Sequence, residues 1–183
     1  MKEKGQPPRI EPLPLEDVDA EIRSRMGEAA HLNIFRTLAH HPDLMRRWLV
    51  FGNHVLGKST LSPRERELVI LRVGWLCRAP YEWGQHVLIG LREGLEAHEI
   101  DRITEGPEAE GWSELDKLLL LATDELHAET CISEATFLRL ADRLSTQQIL
   151  DLIFAVGQYH LVCMALNSLG VEPEPGLPGW PVR

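Results

Sequence analysis

No stretch of this 183-residue chain alternates apolar and polar residues strictly, as a half-buried strand would, which excludes a β-rich fold. No apolar run approaches the roughly 20 residues needed to span a bilayer, so no membrane association is expected. No cluster of Lys and Arg interrupts a chain whose formal net charge is -9. Such a surface repels a polyphosphate backbone, and nucleic acid is excluded as a partner. The charge still allows a locally positive pocket and a small anionic substrate. Cysteine is scarce. Cys77, Cys131 and Cys163 are odd in number and far apart, which offers neither a disulfide framework nor a zinc pattern and suits a reducing compartment. The opening MKEKGQPPRIEPLPLED has no basic segment leading into an apolar one, so it reads as a polar, Pro-rich tail over residues 1–14 rather than an export signal, and a cytoplasmic setting is expected.

What is present is helical periodicity almost throughout, which predicts an all-α domain over residues 15–171. Residues 15–28 and 30–40 read as the first two helices, ended by His40-His41-Pro42, because proline restricts the residue before it and cannot continue a hydrogen-bonded turn. A third helix runs from Pro42 to about Leu56 with Leu44, Trp48, Phe51 and Val55 on one face. Ser62-Pro63-Arg64-Glu65 is a capping box with proline at the first helical position, opening a fourth helix that stops near Cys77. Pro80 then starts a fifth, to about Glu93, with Gly84, Val87, Leu88 and Leu91 as its core stripe. Short helices are expected near 96–104 and 134–143, and a longer one from Ser113 onward. Ser145-Thr146-Gln147-Gln148 caps a last helix ending at Gly170. That last helix is apolar almost all round, so it is central or lies in a subunit interface. Residues 172–183, rich in Pro and Gly, read as a C-terminal tail that wraps a neighbour or hangs free.

The segment RAPYEWGQH, residues 78–86, places Glu82 and His86 four apart on one helical face, within reach of a hydrogen bond. A neighbouring carboxylate favours the imidazolium and a helix N-terminus favours the neutral ring, so His86 is expected to titrate near neutrality. The same spacing also serves an ordinary helix start on a solvated face. Tyr81, Trp83 and Trp75 around the pair point instead to an enclosed environment.

ELVILRVGWLCRAPYEWGQHVLIGL resembles the carboxymuconolactone decarboxylase and AhpD-like alkylhydroperoxidase superfamily, whose pattern is a Glu, eleven residues, Cys-x-x-Cys, three residues and a His. Here Glu67 is followed by Ala79 and Glu82 at the two cysteine positions and by His86 at the histidine position. The flanks LAHHPDLMRRWLVFGNHVLGKSTLSPRERELVILRV and QYHLVCMALNSLGV extend the resemblance over roughly residues 30–171. It implies an AhpD-like helical fold and a homo-oligomer, trimer or hexamer. In the peroxidase branch two thiols carry the redox chemistry; Ala79 and Glu82 cannot, since only a thiolate attacks a peroxide and a second thiol must resolve the product. Cys77 lies two residues before the first cysteine position, with no resolving partner at the second, so a one-cysteine alkylhydroperoxidase or peroxiredoxin-like protein is the alternative, beside a metal-binding or non-catalytic member.

The decarboxylase branch does without the thiols. The resemblance therefore implies a carbon-carbon lyase acting without a cofactor or metal on a small carboxylated lactone or a related product of aromatic breakdown. In that reading His86, held by Glu82, is the acid that delivers a proton to carbon, and Glu67 relays the proton from solvent. Tyr81, Trp83, His54, Arg72 and His160 are candidate substrate-binding residues: Tyr81 to meet charge on the lactone oxygen, Arg72 as counter-charge for a carboxylate, and His54 and His160 as rings that line the pocket. Asn167 reads as tying a helix end.

Overall fold

The computed structural model describes residues 7–181, and among them the chain forms nine α-helices and no strand. They are α1 (Ala20–Met26), α2 (Asn33–Leu38), α3 (Pro42–Gly57), α4 (Pro63–Leu76), α5 (Pro80–Arg92), α6 (Ala97–Ile103), α7 (Glu114–Glu129), α8 (Glu134–Ala141) and α9 (Thr146–Leu169). The capping boxes read at Ser62 and Ser145 are both formed, and Gly170 ends α9 in the left-handed conformation, φ 68°. Before Pro42 the chain is more broken than its periodicity suggests. A 3-10 turn, Leu15–Asp17, precedes α1, and a second, Gly27–His31, separates α1 from α2, because Gly27 leaves the helix at φ 55°.

α4 is the central helix. Every residue from Arg66 to Gly74 is buried, with α5, α7 and α9 packed around it. A helix closed in on all sides must satisfy its polar groups internally, which is why Arg66, Glu67 and Arg72 each have a charged partner. α4 and α5 approach closely at Gly74 and Gly90. A Cβ on Gly74 would lie 3.7 Å from the backbone nitrogen of Trp83, and one on Gly90 would lie 2.9 Å from Leu95 Cδ1 and 3.7 Å from Glu67 Cβ. This close packing lets side chains from the two helices meet.

Three apolar stripes differ from expectation. On α3 the buried residues are Met45 and Val55, while Leu44 and Phe51 lean outward. On α5 Leu88 and Leu91 are exposed, and the inward face carries Tyr81, Glu82, Trp83, Gly84, His86, Val87 and Gly90. α5 turns charged side chains to the core because the partners for those charges are there. α9 meets the length and composition of a membrane span, with a mean hydropathy of 1.8, contrary to the expectation that no segment would. Half of that stretch is buried against the rest of the fold, as in a core helix; Leu150, Phe154, Leu161 and Met164 remain exposed.

Both ends of the described chain are tied down. The N-H of Arg9 donates to Leu169 O (2.8 Å), and that of Leu13 donates to Arg36 O (3.2 Å); residues 1–6 of the expected N-terminal tail lie outside the described residues. The C-terminal segment does not hang free: it straps back over α5. Glu174 accepts hydrogen bonds from the backbone N-H of Asn33, the hydroxyl of Tyr81 and the amide of Gln85, at 2.6, 2.8 and 2.6 Å. Trp180 stacks on Trp75 with ring centroids 4.9 Å apart and meets Trp83 edge-on at 5.8 Å. Such aromatic pairs contribute about 0.5–1.5 kcal/mol each beyond the area they bury. Gly84 is required beneath this strap, because a Cβ there would sit 2.9 Å from Pro178 O.

Candidate active site

His86 lies in the middle of a buried carboxylate-imidazole-carboxylate chain. Its Nδ1 is 2.6 Å from Glu67 Oε2, and its Nε2 is 3.0 Å from Glu82 Oε1. The second oxygen of Glu67 accepts from Arg66 Nε at 3.0 Å. Glu67 is wholly closed to solvent, while Glu82 and His86 are 4% and 5% exposed. Tyr159 of α9 caps the imidazole edge-to-face, with centroids 4.9 Å apart and planes at 88°. The four charges sum to zero: two carboxylates, one guanidinium and one imidazolium. That balance is what makes their burial tolerable, since an unpaired ion there would cost several kcal/mol.

The electrostatics follow from this arrangement. Burial alone pushes the His86 ring toward its neutral form, but Glu67 and Glu82 outweigh it and raise its pKa from 6.5 to about 10. The ring is therefore an imidazolium at neutral pH, not a group poised near neutrality as the sequence led us to expect. The helix dipole does not counter the two carboxylates, because His86 is the seventh residue of α5 and the effect fades within the first turn. Burial likewise pushes the Glu67 carboxyl up, and the charge and hydrogen bond of His86, followed by the bond from Arg66, more than reverse it, holding Glu67 below the usual carboxylate range.

Of the residues singled out in the sequence, the fold brings Glu67, Glu82 and His86 together and gives the others different partners. The hydroxyl of Tyr81 donates to Glu174 and accepts from the N-H of Ile34 (3.3 Å), so it anchors the C-terminal strap. Trp83 is 2% exposed and packs between Trp75 and Trp180. Arg72 makes a two-pronged ion pair with Asp124 (2.6 and 2.7 Å) and donates to Ile103 O, which uses up the fork expected to meet a substrate carboxylate. His54 is 3.9 Å from Asp151 with a half-exposed ring. His160 bonds His127 and the carbonyl of Val156 instead of joining the triad. Asn167 donates to Cys77 O and so ties the end of α4, as read from the sequence. Glu67 has no contact with solvent, so it holds the ring and does not exchange protons with water.

Sequence reasoning missed Arg66 and Tyr159. Arg66 adjoins Glu67, and neighbours in sequence do not normally share a helical face; the pairing forms because the Nε of its long side chain folds back. Tyr159 lies 73 positions from His86, and no spacing rule connects them. A groove of about 410 Å³ between α3 and α9, lined by Trp48, Phe51, Phe154, Gln158 and Leu161, was also not anticipated.

Residues 42–124 match the model of the Carboxymuconolactone decarboxylase family, a span containing Glu67, Glu82 and His86. Over that span the chain is similar to the carboxymuconolactone decarboxylase family. Two solved structures share this fold over nearly their full lengths. One is an uncharacterized peroxidase-related protein with an alkylhydroperoxidase AhpD core from Ralstonia eutropha (TM-score 0.81, 19% identity, covering 93% of this chain and 95% of that one). The other is an uncharacterized peroxidase-related protein from Silicibacter sp. (TM-score 0.80, 15% identity, 97% of each chain). A protein of unknown function from Agrobacterium tumefaciens aligns over 75% of this chain and 94% of its own (TM-score 0.70, 19% identity). A search of curated proteins found no match.

Proposed function

We propose that His86 and Glu82, with Glu67 holding the ring, form a proton relay for cofactor-free decarboxylation of a small carboxylated lactone or a related product of aromatic breakdown. The observation that carries this reading is the buried hydrogen-bonded chain Glu67-His86-Glu82, with Ala79 and Glu82 at the two positions where the superfamily pattern has cysteines. A site so built handles protons, and neither of those two positions carries a thiol for redox work.

In the proposed reaction the bond from ring carbon to carboxylate breaks, and its electron pair moves through the ring double bond into the lactone carbonyl. Carbon dioxide leaves, and one proton is added to carbon, so substrate plus a proton gives product plus carbon dioxide. Both N-H groups of His86 already face carboxylates, so the proton reaches the substrate through Glu82. Glu82 protonates carbon as His86 passes its Nε2 proton to Glu82, and solvent later restores the imidazolium. Glu67 and Arg66 position the ring and keep it charged between turnovers. General acid catalysis of this kind contributes about 10²–10⁴ in rate.

We further infer that copies of the chain associate through α3 and α9, where Phe51, Phe154, Leu161 and Met164 are exposed; a trimer or hexamer is the expected assembly. The described cysteines form no disulfide, which supports a cytoplasmic setting.

A screen of small carboxylated γ-lactones and β-keto acids for carbon dioxide release, with Glu82→Gln and Cys77→Ser run in parallel, tests the reading. Turnover lost in Glu82→Gln and kept in Cys77→Ser supports it. Peroxide consumption lost in Cys77→Ser and kept in Glu82→Gln supports a thiol peroxidase instead.

A further inference from the structure

A second cluster of reactive side chains lies outside the relay. Cys77 closes the C-terminal end of α4, His127 comes from the last turn of α7, and His160 comes from the middle of α9. The Sγ of Cys77 and one ring nitrogen from each histidine lie within 4.8 Å of one another. We propose that Cys77, His127 and His160 bind a divalent transition-metal ion of the zinc class, in a mononuclear site with one sulfur and two nitrogen ligands.

The dimensions suit such an ion. With bonds of about 2.3 Å to sulfur and about 2.0–2.1 Å to nitrogen, the ligands of a tetrahedral zinc stand roughly 3.3–3.7 Å apart. His127 Nδ1 and His160 Nε2 are 2.8 Å apart, so a small separation of the two rings admits the ion. The donor set of one thiolate and two imidazoles is one that zinc, cobalt and copper prefer over magnesium or calcium.

Two of the ligands are already oriented. His160 Nδ1 is 2.8 Å from Val156 O; a carbonyl can only accept, so Nδ1 carries the hydrogen and the lone pair of the neutral ring is on Nε2, the nitrogen that faces His127. Fixing one ring nitrogen to a backbone carbonyl in this way is how metal-bound histidines are usually held. Cys77 is fixed through its backbone, which donates to Val73 O (2.9 Å) and accepts from the amide of Asn167 (3.0 Å). His127 is exposed, which gives an ion a way in from solvent. Three protein ligands leave one coordination position for water or an exogenous ligand. No spacing in the sequence advertises the site, since its ligands come from positions 77, 127 and 160 and only the packing of three helices joins them.

Cobalt(II) titration of the full chain, reduced and stripped with chelator, tests the site. One equivalent should produce a thiolate-to-cobalt charge-transfer band in the near ultraviolet together with visible bands of tetrahedral cobalt, and zinc should displace it. Cys77→Ser should abolish the charge-transfer band. His127→Ala, at an exposed position that leaves the core intact, should weaken binding at least about a hundredfold, the upper range for loss of even an indirect metal contact. Cys131→Ser and His86→Gln should bind as the unaltered chain does, with circular dichroism recorded for each variant. No charge-transfer band, a band that survives Cys77→Ser, or one lost in Cys131→Ser overturns the proposal. So does metal binding that needs His86 but not His127, which would place the ion at the relay.

Discussion

Glu67 of α4 and His86 of α5 meet through a 2.6 Å contact between Oε2 and Nδ1, in a place closed to water. The contact exists because Gly74 and Gly90 allow the two helices to approach, and it is stable because Arg66 and Glu82 complete a neutral chain of charges at either end.

Removing the carboxylate should therefore expose how much the fold depends on that balance. Glu67→Ala leaves a buried imidazolium and guanidinium facing a cavity and is expected to cost about 3–5 kcal/mol in urea unfolding. Glu67→Gln keeps the volume and one acceptor oxygen, so it should cost less. Equal losses in the two variants would mean that the lost charge, not cavity formation, sets the cost.

The raised pKa of His86 gives stability a definite pH dependence. The folded ring holds its proton up to about pH 10, whereas the unfolded ring releases it near 6.5, so the folded state binds more protons between those values. Its contribution is fully present below about pH 6.5 and is lost as pH rises to about 10, with a slope of up to about 1.4 kcal/mol per pH unit. Glu67, held below the usual carboxylate range, works in the opposite direction: its contribution is present above its unfolded pKa and lost as acid protonates the folded carboxyl. Urea midpoints measured from pH 6 to 10 should fall in the unaltered chain and fall less in His86→Gln. Parallel slopes in the two proteins would show that the ring is not held as an imidazolium.

The C-terminal strap should respond to a single methyl group. In Gly84→Ala the new Cβ would meet Pro178 O at 2.9 Å, and the obstacle is backbone. The strap must shift, at a cost of about 1–3 kcal/mol, and the stack of Trp180 on Trp75 should loosen. Near-ultraviolet circular dichroism and tryptophan fluorescence should both change, and proteolysis near residues 172–181 should speed up. An unchanged tryptophan signal would contradict this packing.

Much of this architecture can be read along the chain. Ser62, Ser113 and Ser145 announce helix starts through their side-chain oxygens, and Gly170 announces a stop, because capping is local chemistry written within four residues. The inward faces of α3 and α5 are less legible: Leu88 and Leu91 look like core by hydropathy, yet the space beneath α5 is occupied by Glu82 and His86, whose partners lie on other helices. The Glu82-His86 pair follows from i,i+4 spacing, and Glu67 enters through the resemblance. The direction in which His86 titrates depends on a second carboxylate 19 positions away and could not be read from the helix that bears it. Likewise Tyr81 and Arg72, polar groups with apparent capacity for a ligand, are saturated by Glu174 and Asp124, distant in sequence.

The relay itself is tested most directly by carbon dioxide release from a carboxylated lactone turned over by the unaltered chain, measured again in His86→Gln with folding checked by circular dichroism. The relay predicts a fall in kcat of at least about a hundredfold, the low end for a lost general acid. Undiminished turnover in folded His86→Gln would contradict it.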